Sequence, residues 1–357
     1  MIMQGPGGVQ FKHVCLEGIA YALPSETFSS DRIEETLQPV YERLRLPAGR
    51  LELMTGIEER RVWPQGTLPS EAAAMAAQNL MRQTPVPKDE IDLICHAGVS
   101  RNRLEPATAA YVHRDVGLLA KTQILDLSNA CLGFLNAIVL AGGMIEAGLM
   151  KRVMIVAGEN GEPLLRSTLR ALLAADNLTR KTIKPYFANL TIGCGAVAAF
   201  LCHRDHASQH LLDLNAAASL TDSSRVHLCE GDSTGGEGLM MQTDSEGLLE
   251  AGIALAQNCF GDFLQLTGWT RQSPDHIICH QVGKAHHLKL YEALGLDRSK
   301  DFATYPFLGN VGSVSLPITL AMAAERGLLN PGQRLALLGI GSGLSTCMMA
   351  ASVPAAD

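Results

Sequence analysis

The sequence predicts an α/β fold built by tandem duplication, and three observations carry that expectation. First, strand-like apolar runs occur twice at nearly one offset: Ile91–His96 returns as His276–His280, and Arg152–Gly158 returns as Arg334–Gly339. Second, each pair brackets a helix-like run. One opens at Asn129-Ala-Cys131-Leu-Gly-Phe and closes on Glu146-Ala-Gly-Leu149; the other opens at Asn310-Val-Gly-Ser-Val-Ser and closes on Glu325-Arg-Gly-Leu328. Third, the strand runs lack polar alternation, as expected of strands covered by helices on both faces. A chain of 357 residues with 47% hydrophobic and 18% charged residues holds enough apolar material for such a core.

In chain order, the short Gly-rich start reads as a loose lead-in. Ser70–Arg82 reads as a helix capped by Ser70 and stopped before Pro85. The strand at 91–96, the strand ending at Ser128, the helix after Cys131 and the strand at 152–158 complete a first half, assigned to residues 1–205. Residues 160–189 are longer and more polar than a simple connection and are expected to form a cap over the site. The halves join near residues 200–215, and the second half spans 206–357. It contains a helix over Ser245–Leu266 with Ser245 as N-cap, then the repeated strand, helix and strand.

Several function classes fall away on composition. A net charge of −7 without a basic cluster leaves no footprint for nucleic acid. The longest apolar stretch, Leu132–Met150, carries Asn136 and Glu146, which argues against a membrane span. The start lacks a secretory signal, and nine cysteines without a CxxC pair suit a reducing compartment, so a cytoplasmic protein is expected. Cys202-His203-x-x-His206-x-x-x-His210 places histidines at helical spacing where the halves should join, and is read as a surface linker, not a metal site. The Gly339-x-Gly341-x-Gly343 loop follows a strand but opens no helix, so it is no dinucleotide fingerprint.

Cys131 stands apart from the other cysteines. It falls at a sharp turn between a strand and a helix start, where unpaired N–H groups and the helix dipole favour a thiolate. His280-Gln-Val-Gly and Gly309-Asn310-Val-Gly-Ser are the segments able to supply its partners.

These motifs, with Gly56-Ile-Glu-Glu-Arg60-Arg61, Gly193-Cys-Gly-Ala and Gly339-Ile-Gly-Ser-Gly343-Leu, resemble those of the thiolase superfamily, close to β-ketoacyl-ACP synthase III (FabH-like) enzymes. The resemblance covers nearly the whole chain. It implies a five-layer αβαβα thiolase fold, a homodimer, and an acyl group carried on Cys131. His280 and Asn310 then match the pair that binds the second thioester carbonyl and stabilises its enolate. The backbone N–H groups of Cys131 and Ser342 match the oxyanion hole, and Arg60 and Arg61 lie near the family's pantetheine entrance, with a structural ion pair as the competing reading. No metal or redox cofactor is implied; coenzyme A thioesters enter as substrates.

One departure decides between two chemistries. The stretch Leu104-Glu105-Pro106 carries glutamate where the synthases usually carry an aromatic residue. This is similar to OleA-type enzymes, which condense two acyl-CoAs and use this glutamate across the dimer as the α-proton base. Decarboxylating a malonyl group requires no base, whereas deprotonating an acyl-CoA does. The expected function is therefore non-decarboxylative Claisen condensation. The alternatives are a decarboxylative synthase III taking malonyl groups from acyl carrier protein, and a non-catalytic thiolase-fold partner subunit.

Overall fold

The computed structural model describes residues 8–232 and 240–355. Residues 1–7 of the expected lead-in lie outside the described residues. The strands are β1 (Gly8–Gln10), β2 (Val14–Ala22), β3 (Glu26–Ser29), β4 (Glu59–Val62), β5 (Leu93–His96), β6 (Gln123–Asp126), β7 (Arg152–Glu159), β8 (Gly195–His203), β9 (Leu212–Thr221), β10 (Cys229–Asp232), β11 (Met240–Thr243), β12 (His276–Cys279), β13 (Arg334–Gly341) and β14 (Ser345–Ser352).

Ten strands form one continuous arrangement ordered β12-β13-β14-β9-β2-β8-β7-β5-β6, with β1 on β9. The first half runs β2-β8-β7-β5-β6 and the second β9-β14-β13-β12, with like pairings in each. β5 pairs parallel with β7 as β12 does with β13, and β7–β8 is antiparallel like β13–β14. Even β6 has a counterpart, reduced to the single parallel bridge Ile277–Asp301. β2 and β9 join the half-sheets edge to edge at Cys15–Asp213 and Leu16–Leu212. β1 crosses to the other half, so the first described residues pack with the C-terminal sheet.

The layers follow from which way alternate strand residues point. Val153 and Ile155 of β7 face a central core with Phe134, Leu135 and Ile138 of the Gly133–Glu146 helix and Leu316, Ile318 and Leu320 of the Ser315–Glu325 helix. Met154 and Val156 face an outer core with Ala73, Ala77 and Leu80 of the Pro69–Gln83 helix. β13 divides in the same manner: Leu335 and Leu337 face the centre, while Ala336 and Leu338 meet Phe260, Phe263 and Leu290 on the far side. Helix, sheet, paired central helices, sheet and helix make five layers. The missing polar alternation therefore has a physical cause, since both faces of these strands are dry and each buried aliphatic chain is worth roughly 1.5–3 kcal/mol.

Two local expectations need correction. The helix at Pro69–Gln83 begins before Ser70; Leu68 is its N-cap, its N–H held by Glu71, while Ser70 instead bonds Asn102 through its N–H (3.0 Å) and hydroxyl (2.8 Å). The Ser245–Thr267 helix is capped by Asp244, whose carboxylate accepts from Gly247 N–H at 3.1 Å, because a carboxylate reaches the first turn better than the next serine can. Within the 160–189 segment, Glu162–Ala174 is a helix whose Leu165, Leu169 and Leu172 pack into the outer core.

Candidate active site

Cys131 sits where the sequence put it. β6 ends at Asp126, and Ala130 takes a left-handed φ of 45° that swings the chain over. Leu132 N–H returns to Asn129 O at 2.9 Å, and the helix starts at Gly133. The thiol faces a cavity of about 240 Å³, which also takes in His280, Asn310, Ser342 and the Glu159 carboxylate. The β13–β14 turn comes close to the nucleophile's backbone: a Cβ on Gly341 would lie 3.6 Å from Cys131 N and 3.1 Å from Leu132 Cγ.

His280 follows directly on β12, its N–H bonded to Leu338 O at 2.9 Å. The neighbouring Gln281 is buried and pins the 302–305 segment, accepting from Thr304 N–H (2.7 Å) and Tyr305 N–H (2.9 Å) and donating to Phe302 O (2.9 Å). Asn310 is fixed at both levels. Its N–H donates to Thr191 O and its carbonyl accepts from Gly193 N–H, each at 2.9 Å. Its Oδ1 accepts from Gly312 N–H (3.1 Å) and the Ser315 hydroxyl (3.5 Å), which leaves the Nδ2 donors for the cavity.

The electrostatics correct one expectation. Burial pushes the Cys131 thiol up to about 12, the Glu159 charge adds to this, and the backbone N–H at the helix start pulls the other way without offsetting it. The resting group is the thiol, not the thiolate. Burial drives His280 down to about 4, with His286 adding to the fall, so its ring is neutral at pH 7 and free to take a proton. His286, also on the cavity wall, falls to about 4 through burial and the Lys289 charge.

Three other candidates stand apart from this cluster. Arg60 is fully buried and donates to Phe28 O (3.0 Å) and the Ser30 hydroxyl (3.1 Å), and burial lowers it to about 10. Enclosed in this way, Arg60 has no access to a phosphate at an entrance. Arg61 is partly exposed and lies 3.9 Å from Glu59. Glu105 is exposed and does not line its own chain's cavity. It rides on a well-anchored loop. Val99 and Ser100 N–H groups donate to Glu159, Asn102 holds Ser70, and Asp126 accepts from Thr108 N–H (2.6 Å) and Ala109 N–H (2.8 Å). Leu104, at the tip, is 92% exposed.

Glu159 escaped sequence reasoning. A carboxylate ending the otherwise apolar strand Arg152–Glu159 was the available signal. The histidines at 203–210 are not on one helix: His203 ends β8, stacks on His13 at 5.0 Å and neighbours His206, while His210 bonds Asp213. Among the described residues no group of three His, Cys, Asp or Glu is placed to hold a metal, and no helix is long and apolar enough to cross a membrane.

Family models for 3-oxoacyl-[acyl-carrier-protein] synthase III match residues 125–219 and, for its C-terminal part, 264–353. The chain belongs to the 3-oxoacyl-ACP synthase III (FabH-like) family of thiolase-fold condensing enzymes. Within it, the similarity to OleA-type members is extensive. An acyl-CoA:acyl-CoA alkyltransferase of Shewanella oneidensis is 36% identical over 96% of this chain and 99% of its own. A protein of the same name from Xanthomonas campestris is 34% identical over 95% and 98%. Beta-ketoacyl-ACP synthase III 3 of Streptomyces coelicolor is 25% identical over 96% and 98%. A solved structure of Xanthomonas campestris OleA superposes with a TM-score of 0.91 at 32% identity, over 96% of this chain and 99% of that one. Another OleA structure holds lauric acid and lauroyl-CoA.

Proposed function

We propose that this protein is an acyltransferase that joins two acyl-CoA thioesters into a β-ketoacyl-CoA without decarboxylation. The observation that carries the reading is Glu105, a carboxylate on an anchored, outward-facing loop that its own cavity does not use. The OleA structures support it further: variants of that protein replace a cysteine, a histidine and a glutamate, and its cysteine and glutamate stand 26 residues apart, as Cys131 and Glu105 do here.

In the first half-reaction, Cys131 Sγ attacks the acyl-CoA carbonyl while neutral His280 takes the thiol proton. The tetrahedral oxyanion is held by the Cys131 and Ser342 N–H groups, and coenzyme A leaves with that proton. In the second, His280 and the Asn310 Nδ2 donors hold the carbonyl of another acyl-CoA. Glu105 of the partner subunit removes an α-proton, and the enolate carbon attacks the acyl-cysteine carbonyl. A carbon–carbon bond forms, the bond to Cys131 breaks, the proton taken by Glu105 balances the one regained by the Cys131 sulfur, and β-ketoacyl-CoA departs. No oxidation state changes in either step, so the reaction calls for no redox group. Leu164, Leu248, Leu249 and Ile253 give the cavity the apolar wall an acyl chain needs.

The homodimer is part of the same reading. Every residue of edge strand β6 is exposed, Ile124 and Leu125 among them, and an unpaired strand edge suits pairing with a second copy. Nine free thiols suit a cytoplasmic setting.

The test uses myristoyl-CoA carrying ¹³C at C1, alone and with unlabelled malonyl-ACP. The expected result is a β-keto product with two labels from acyl-CoA alone, lost in Glu105→Ala while Cys131 is still acylated. Product with one label, formed only with malonyl-ACP and unaffected by Glu105→Ala, would make this a decarboxylative synthase.

A further inference from the structure

The buried carboxylate of Glu159 has no part in the chemistry above, yet it is the most heavily bonded acid at the cavity. It terminates β7, is 4% exposed, and forms no ion pair among the described residues. Its four acceptor bonds divide between two segments. On one side Oε1 accepts from Val99 N–H (2.8 Å) and Oε2 from Ser100 N–H (3.0 Å), at the root of the loop that ends in Glu105. On the other, Oε1 accepts from Ser313 N–H (3.2 Å) and the Ser313 hydroxyl (2.5 Å), three residues past Asn310. A buried anion with only neutral donors is costly unless every lone pair is used, and here both oxygens are.

We propose that Glu159 is a positioning residue for condensation, clamping the loop that offers Glu105 to the partner subunit onto the turn that presents Asn310 in its own cavity. This rests on the functional reading above and deepens it, because one carboxylate then sets parts of both sites in the dimer. A charge here opposes ionisation of Cys131, so an acid is a poor choice for the acylation step alone. Its benefit belongs to the second half-reaction, where Asn310 and the base must both be in place. Glutamine at this position keeps the size but replaces one acceptor oxygen with an N–H donor facing N–H donors. It therefore cannot hold both segments.

The experiment compares wild type, Glu105→Ala, Glu159→Gln and Glu159→Asp with myristoyl-CoA, reading acyl-Cys131 by intact mass, product, and alkylation of Cys131 by iodoacetamide at several pH values. Glu159→Gln is expected to lose about tenfold or more in kcat for product with little change in KM, and to accumulate acyl-enzyme. It is also expected to alkylate faster than wild type at pH 8, because the opposing charge is gone. A packing defect that merely opened the cavity would speed alkylation in Glu159→Asp as well. Glu159→Asp, which keeps the charge, is expected to retain the wild-type alkylation profile and more product formation than Glu159→Gln. Wild-type product formation by Glu159→Gln, or equal loss of acylation and product in a folded protein, overturns the proposal. If Glu159→Gln does not fold, Ser313→Ala removes one bond to the same oxygen and is expected to slow product formation several-fold without slowing acylation; an unchanged rate overturns the proposal. Failure of the functional reading is separate: wild type would then make no product from acyl-CoA alone, or Glu105→Ala would be active.

Discussion

At the residue scale, the site is governed by burial more than by the helix dipole. Cys131 lies at a helix start, which favours a thiolate, but an apolar cavity and the Glu159 charge outweigh that and hold the thiol up at about 12. Deprotonation is then coupled to attack, with neutral His280 as the acceptor. The sign of the pH dependence follows. Below a raised pKa the thiolate fraction grows tenfold per pH unit, so alkylation of Cys131 by iodoacetamide should climb about tenfold per unit from pH 6 to pH 9 without a plateau. A plateau near pH 7 would mean a stabilised thiolate and would contradict this electrostatic picture. That Cys131, His280 and Asn310 belong together was suggested by the family resemblance, and Cys131 also by its turn between strand and helix; the structure lines one cavity with all three. The protonation states of Cys131 and His280 were not legible, because burial is set by residues remote in sequence, such as Leu248 and Glu159. Arg60 misled for the same reason: an arginine reads as surface until Phe28 and Ser30 are folded around it.

At the element scale, the strand–turn–helix units place the chemistry and glycine lets them meet. Gly193 is an example. A Cβ there would lie 2.1 Å from the Leu308 carbonyl oxygen, and the same residue's N–H holds the Asn310 carbonyl. Gly193→Ala should destabilise the fold by roughly 1–3 kcal/mol, because backbone must shift to admit the methyl group. It should also depress condensation more than acylation, since the displaced segment carries Asn310. Denaturant melts and the two half-reaction rates check both parts. Apolar runs and the repeated offset made β5, β7, β12 and β13 readable, and the Ser245–Thr267 helix was recovered within a residue. Caps were less readable: Ser70 and Ser245 are good capping residues by type, but Glu71 and Asp244 reach the free N–H groups in the fold. The Glu162–Ala174 helix was not singled out within the 160–189 segment, because its apolar face is matched by residues remote in sequence, Leu190 and Phe200 among them.

At the scale of the whole molecule, two half-sheets meet at β2 and β9, and Cys131 before one central helix, Asn310 before the other and His280 at the end of β12 line one cavity. The proposed reading adds a second copy of the chain, because Glu105 is exposed and does not line its own cavity, and the edge of β6 is open. Sequence alone suggested this arrangement only through the family resemblance; nothing in the spacing of Glu105 and Cys131 says that they act in different subunits. The most direct test is complementation between two inactive variants. Cys131→Ala and Glu105→Ala are each expected to make no condensation product from myristoyl-CoA. When the two are unfolded and refolded together, half the dimers are mixed, and each mixed dimer holds one intact Cys131 facing one intact Glu105 of the partner subunit. The account predicts recovery to about a quarter of the wild-type rate per chain. No recovery in dimers verified as mixed would contradict it, and would place the base within the same chain or remove Glu105 from the reaction.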